Sequence, residues 1–340
     1  MMAEFSGKSI VVFCPRFFDY DVRIKDKLLE MGADVQLFDE RPSNQAIIKA
    51  IIRLRVLPLM RPLVTHYYTR VIKSLSGRKA DHLLIINPEC VTPGILRNLR
   101  TALGAPITTV YMWDSLRNKP AARELIPEAD AFFTFDAADS ASDDRLRYLA
   151  LFSAFSGSDE RKQIPVDISF FGTLHSDRYA VCKAVQKRAE QIGLTTRFFF
   201  YAPSRIYFFL RWVFDAGFRR VNFNDLSFAP LPLSEIEKEM RASKAVLDIQ
   251  HPGQVGLTMR TIEALDVGCK LITTNPEVSK HAFFRPSNVL IIDRYRPELD
   301  EGFFLAPYEP LPIETVDRYS IANWLRAILA IEKARDGVDT

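Results

Sequence analysis

The segment Ala245–Asn275, AVLDIQHPGQVGLTMRTIEALDVGCKLITTN, constrains the fold more than any other stretch of the chain. Its opening residues 245–249 are a short apolar run containing β-branched residues, suited to a buried strand. Residues 250–257 hold two glycines, a proline and a histidine, so they read as a loop. Met259, Ile262 and Leu265 then recur at helical spacing, and Gly268 follows as a helix-ending glycine. Leu271-Ile-Thr-Thr is the next strand. A strand–loop–helix–strand unit of this kind turns a helix N-terminus and its free N–H groups toward the loop, where an anion is stabilised. Arg260 and Glu263 lie three residues apart, on neighbouring helix positions. A cation and a carboxylate beside a phosphate site suit a sugar nucleotide.

The same alternation runs through the whole chain. Ser9–Cys14 reads as a first strand, Val22–Met31 as an amphipathic helix closed by Gly32, and Asp34–Phe38 as a second strand. Helical material from 44 to 76 is broken at Pro58 and Pro62. Strand 82–86, helix 93–103, and strands 107–112 and 131–135 follow. The polar run Ser156–Pro165 reads as a linker. Beyond it come strand 166–171, helix 177–192, strand 195–201, helical or irregular residues 204–218, and helix 234–242. The opening unit is next, then strand 289–292 and a last helix near 318–333. Strands alternating with helices imply parallel, doubly wound sheets, and 340 residues are comfortable for two domains. The expected division is 1–160, 166–317, and a C-terminal helical segment 318–340 that packs back on the first domain.

Several classes are disfavoured. A net charge of +3 is too weak to argue for nucleic acid. The loop after the first strand, Cys14-Pro-Arg-Phe-Phe-Asp-Tyr-Asp21, lacks the Gly-x-Gly-x-x-Gly of a dinucleotide-binding domain, and no Walker A sequence is present. Cys14, Cys90, Cys182 and Cys269 are scattered without close pairs, which suits buried free thiols in a reducing compartment. Met1 to Ser9 is polar, unlike a secretory leader, and no apolar run approaches the ~18 residues of a membrane span. The expectation is a cytoplasmic chain.

Three stretches carry a resemblance. Asp167-Ile-Ser-Phe-Phe-Gly-Thr173, Leu233-Ser-Glu-Ile-Glu-Lys-Glu-Met240 and, best of all, Arg260–Asn275 resemble the donor domain of GT-B glycosyltransferases. The likeness is to bacterial capsule and lipopolysaccharide enzymes with a group-1-like C-terminal domain. The first half matches only in its alternation. The resemblance implies an α/β GT-B fold, two Rossmann-like doubly wound domains facing a cleft. The donor would be a nucleoside-diphosphate sugar, used as substrate with no cofactor, and the acceptor a glycan or lipid-linked glycan in surface polysaccharide assembly. Retaining members of the group often show Glu, seven residues, Glu. Here the second is Glu263, which resembles the ligand of the donor ribose, but Val255 stands at the first, so the stereochemistry is open.

Each candidate residue has a plainer alternative. Glu263 is a ribose ligand or a helix-surface carboxylate paired with a lysine; Arg260 is a diphosphate ligand or a salt-bridge partner of Glu263. Gly256, Leu257 and Thr258 would offer N–H groups, with Thr258 also capping the helix. His251 is a phosphate or sugar contact, or a loop histidine bonded to backbone. Gly172, Thr173, His175 and Arg178 stand where open α/β sheets bind ligands; Arg178 is otherwise a solvated first-turn arginine. Tyr201 stacks on a base or packs in the core. The catalytic base is expected in the first domain, with Asp19 and Asp114 as the candidates. Asp21 reads as the cap of the first helix. No metal site is expected: the five histidines are scattered and the carboxylates form no tight cluster.

Residues 46–80 carry Lys49, Arg53, Arg55, Arg61, Arg70, Lys73, Arg78 and Lys79 with no acidic residue before Asp81, and apolar residues interleave with them. Arg205–Arg220 is similarly basic and aromatic. Such segments either lie on an anionic membrane or are core helices with solvated basic edges. The expectation is peripheral contact of residues 46–80 at the inner face of the plasma membrane. A sugar-nucleotide epimerase on the same fold, or an inactive GT-B-like scaffold that binds a partner, are the competing functions.

Overall fold

The computed structural model describes residues 4–43, 61–155 and 165–331. The basic residues Lys49, Arg53 and Arg55 and residues 156–164 of the expected linker lie outside them. Two compact units divide the chain: Met1–Ala150 with Ile321–Thr340, and Leu151–Ser320.

In the first unit, strands β1 (Ser9–Cys14), β2 (Asp34–Asp39), β3 (His82–Ile86), β4 (Ile107–Met112), β5 (Ala131–Thr134) and β6 (Leu146–Tyr148) form one sheet ordered β2-β1-β3-β4-β5-β6. Every pairing is parallel. Parallel strands are covered on both faces, so their sequences are continuously apolar; all five residues of β3 are buried. Helices Tyr20–Glu30, Arg61–Leu75 and Pro93–Ala102 connect the strands. The last begins where Thr92 accepts from the Ile95 N–H and Pro93 takes the first helical position, whose N–H needs no partner. The first helix starts at Tyr20, so Asp21 stands in its first turn; the cap position belongs to Asp19, whose side chain makes no capping bond.

The helix Ile321–Leu329 belongs to this unit. Trp324 is fully buried and meets the ring of Tyr111 edge-on at 4.9 Å, and Thr109 Oγ1 donates to the Ile328 carbonyl. Glu40, just past β2, closes the other side. Its Oε1 accepts the N–H groups of Glu89, Cys90 and Val91, which ties the loop after β3 to the end of β2. Burial pushes this carboxyl from 4.5 up to about 7 in spite of those donors.

The second unit repeats the plan. Strands β7 (Val166–Thr173), β8 (Thr196–Tyr201), β9 (Leu226–Ser227), β10 (Ser243–Asp248), β11 (Lys270–Thr273) and β12 (Val289–Ile291) are ordered β12-β11-β10-β7-β8-β9, all parallel. From β7 the chain builds outward through β8 and β9, then crosses over by helix Leu233–Arg241 to β10 and builds the other way. The loops after β7 and β10 therefore leave in opposite directions, which opens a crevice at the carboxyl ends of those strands. Val185, Phe200, Leu247 and Ile272 are in the core under it. All four cysteines are buried free thiols. Among the described residues no helix is long and apolar enough to cross a membrane.

Candidate functional site

The carboxyl ends of β7 and β10 gather most of the residues expected at a donor site. Gly172 and Thr173 end β7; a Cβ at Gly172 would stand 2.6 Å from the Phe170 ring, so only glycine lets that ring pack there. Arg178, in the first turn of helix Arg178–Gln191, reaches back across both strand ends. Its Nε donates to the Ile249 carbonyl at 2.7 Å and its Nη1 to the Thr173 carbonyl at 3.4 Å. Desolvation, with Arg260 and Arg294 nearby, lowers its guanidinium to about 10 against the opposing pull of Asp248, so it stays charged at neutral pH.

The helix Met259–Asp266 starts beside them. Thr258 Oγ1 accepts from the Thr261 N–H at 3.2 Å and donates to Asp248 at 2.8 Å, while Thr261 Oγ1 donates to the same carboxylate oxygen at 2.7 Å. Gly256 and Leu257, just before the cap, are buried, and the Gly256 carbonyl accepts from Gln254 and Asn275. Glu263 has no exposed surface and pairs with Arg260 at 2.5 Å; Arg260 also donates to the Phe171 carbonyl at 3.4 Å. The salt bridge given as the plainer reading of Arg260 is present, whereas Glu263, on its plainer reading a surface carboxylate paired with a lysine, is buried and faces Arg260.

Two imidazoles stand over this edge, the rings of His175 and His251 lying 5.6 Å apart. His251 is exposed and its Nδ1 is 2.8 Å from the Pro252 carbonyl. A carbonyl only accepts, so Nδ1 carries a proton in this contact. His175 Nδ1 lies 2.9 Å from Ser176 Oγ. Tyr201, half-buried, ends β8 in register with Thr173.

In the first unit, Asp19 is exposed and lines a cavity of about 380 Å³ with Arg16, Phe17, Phe18, Asp21 and Asp39. Phe18 and Asp19 both have left-handed backbone, at φ 46° and 60°, a conformation that costs non-glycine residues energy and that the surrounding contacts must offset. Asp114 instead accepts from its neighbouring Ser115 N–H and from Asn118 Nδ2, both at 2.9 Å, within its own turn. In helix Arg61–Leu75, Tyr68 and Val71 are buried while Arg61, Arg70 and Lys73 are exposed, so the basic edge of this helix is accessible.

No protein-family model and no curated protein matches the sequence. Solved structures do match in shape. The apo structure of OtsA superposes with a TM-score of 0.59 at 12% identity, over 95% of this chain and 98% of that one. HepE of Anabaena, solved with UDP and glucose, gives 0.57 at 10% identity over 95% and 99%. A UDP-GlcNAc 2-epimerase from Methanocaldococcus jannaschii, solved with UDP-GlcNAc and UDP, gives 0.51 at 10% over 95% and 99%. The fold is GT-B.

Within this GT-B chain the second unit brings Thr173, His175, Arg178, His251, Thr258 and Arg260 to one sheet edge. Two further residues belong with them. Asp248 organises the cap of helix Met259–Asp266. Arg294 pairs with Asp177 at 2.7 Å and donates to the Gln250 carbonyl at 2.8 Å and to Thr274 Oγ1 at 3.2 Å, bracing both loops. Their signal in the sequence was position alone: Asp248 is the last residue of a buried strand, and Arg294 follows the end of β12. Three guanidiniums meet three carboxylates here: Arg260 pairs with Glu263, Arg294 pairs with Asp177, and Arg178, which bonds the Ile249 and Thr173 carbonyls, feels Asp248, all beside a capped helix N-terminus. Arginine donors beside a helix N-terminus are groups that suit an anionic ligand.

Proposed function

We propose that the chain is a glycosyltransferase. It moves a sugar from a nucleoside-diphosphate-sugar donor to a glycan or lipid-linked acceptor in bacterial surface polysaccharide assembly. The observation that carries the reading is the convergence of Arg178, Arg260 and Arg294 on the carboxyl ends of β7 and β10 and the loops that follow them, at the topological switch of a GT-B second unit. In this reading the donor diphosphate lies on Arg178 and Arg260 and the N–H groups after Gly256. Tyr201 flanks the base. Charge develops on the leaving diphosphate as its bond to the sugar breaks, and the fixed guanidiniums and helix N-terminus stabilise it without help from a metal. Asp19 takes the proton of the attacking acceptor hydroxyl, because its carboxylate is exposed in a cavity whereas Asp114 is engaged in its own turn. Residues 46–80 hold the enzyme against the inner face of the plasma membrane.

The paired imidazoles His175 and His251 favour one second reading, an epimerase that uses acid and base groups around the sugar. A thermal-shift panel of nucleoside diphosphates and their sugar conjugates, followed by turnover of the best ligand, separates the two. Release of nucleoside diphosphate only when an acceptor is present supports transfer. Formation of an epimer supports the second reading, and no stabilisation by any member of the panel leaves a scaffold.

A further inference from the structure

The helix Arg205–Phe214 is oriented against the usual rule for a surface helix. Ile206, Phe209, Leu210 and Val213 recur at i, i+3, i+4 and i+7, the spacing of an apolar face. That face looks outward: Ile206 is 69% exposed and Phe209 61%. Trp212 at 43% and Phe214 at 83% widen it. Only Phe208 of the helix is buried.

The element is firmly built from its other side. Ser204 caps it by accepting from the Tyr207 N–H at 3.0 Å. The Phe208 ring packs against Phe218 and Phe223. Arg211 stacks 4.6 Å from the Phe218 ring and pairs with Asp215, and Arg219 donates to the Trp212 and Val213 carbonyls at the helix end. The apolar face is therefore presented by a fixed scaffold.

Charge says what covers it. Residues 205–228 contain Arg205, Arg211, Arg219 and Arg220 against two acids, Asp215 and Asp225, and both acids are ion-paired, with Arg211 and Lys183. An apolar aromatic face rimmed by arginines matches an anionic lipid surface: rings enter at the headgroup level and guanidiniums meet phosphates. Ten residues span only ~15 Å of helix, enough to lie in the interface and too little to cross a bilayer. A second copy of the chain fits less well, because it would oppose arginines to arginines.

We infer that helix Arg205–Phe214 is an in-plane membrane anchor of the second unit that inserts Phe209, Trp212 and Phe214 into anionic lipid, independently of the donor reading. The test uses the full chain with vesicles of phosphatidylglycerol and phosphatidylcholine, or of phosphatidylcholine alone. Sedimentation and the tryptophan emission report binding, the latter with Trp212→Phe as the control, since of the three tryptophans Trp212 is exposed, Trp113 half-buried and Trp324 buried. Co-sedimentation and a blue shift with anionic vesicles only, both weakened by salt, are expected. A Phe209→Ser/Phe214→Ser variant should bind roughly tenfold or more weakly, since insertion scales with buried apolar area, and Arg220→Gln more weakly than wild type. Both substitutions lie on exposed side chains, so an unchanged melting temperature confirms folding. Equal binding of the double variant, equal binding to phosphatidylcholine alone, or no binding to either vesicle overturns the inference. So does a concentration-dependent dimer that the double variant abolishes without any vesicle binding.

Discussion

Burial leaves Glu263 facing Arg260, and removing one member of such a pair strands the other's charge. Glu263→Gln keeps the shape and deletes the charge. The expected loss is about 1.5–3 kcal/mol of stability, read by denaturant unfolding, because the partly buried guanidinium loses its charged partner and keeps only the Met240 sulfur and the Phe171 carbonyl. A variant as stable as wild type would remove that account of the pair. Glu40 gives a second prediction at the same scale. Its folded pKa, about 7, is above the 4.5 of the exposed group, so the native state holds its proton more tightly than the unfolded chain. The stability it contributes is full below pH 4.5 and is lost as pH rises toward 7. Glu40→Gln retains an oxygen for the three N–H donors and has no proton to lose. The difference in unfolding free energy between wild type and Glu40→Gln should therefore shift in favour of the variant between pH 4.5 and 7. A difference independent of pH in that window contradicts the burial of an ionisable carboxyl there.

The helix Met259–Asp266 joins fold to site at the scale of one element. Thr258 caps it and simultaneously ties it to Asp248 at the end of β10. Thr258→Ala should cost about 1–2 kcal/mol, and it should also weaken nucleoside diphosphate binding, because the N–H groups before Met259 lose their anchor. Loss of stability with undiminished affinity would separate the cap from the site. This element was legible in the sequence, from Thr258 at its start to Gly268 past its end, because caps and 3.6-residue periodicity are local signals. Strands β6 and β9 were not, since three and two residues hold no period to read. Nor was the start of the first helix, where Asp21 stands in the first turn behind an Asp19 with left-handed backbone. The site was legible only in part. Arg178, Thr258 and Arg260 follow from strand ends and helix starts. Asp248, Arg294 and the burial of Glu263 follow from how distant segments pack, which no local pattern encodes.

At the scale of the molecule, the chain returns to its first unit after completing the second. Trp324 carries that return, seated on Tyr111 near the carboxyl end of β4. Trp324→Ala should cost about 3–5 kcal/mol, and the loss should show as faster hydrogen exchange of β4 and β5 amides with those of β10 and β11 unchanged. Equal acceleration in both sheets would contradict the assignment of helix Ile321–Leu329 to the first unit. The second unit holds the claim on which the function rests, that its arginine cluster is a diphosphate site. Calorimetric titration of wild type and Arg178→Gln with nucleoside diphosphates tests it most directly, with circular dichroism to confirm that the variant is folded. A charge-assisted hydrogen bond is worth about 1.5–3 kcal/mol. Saturable binding to wild type should therefore weaken roughly 10- to 100-fold in the variant. No binding of any nucleoside diphosphate to wild type, or equal affinity in a folded variant, would contradict it.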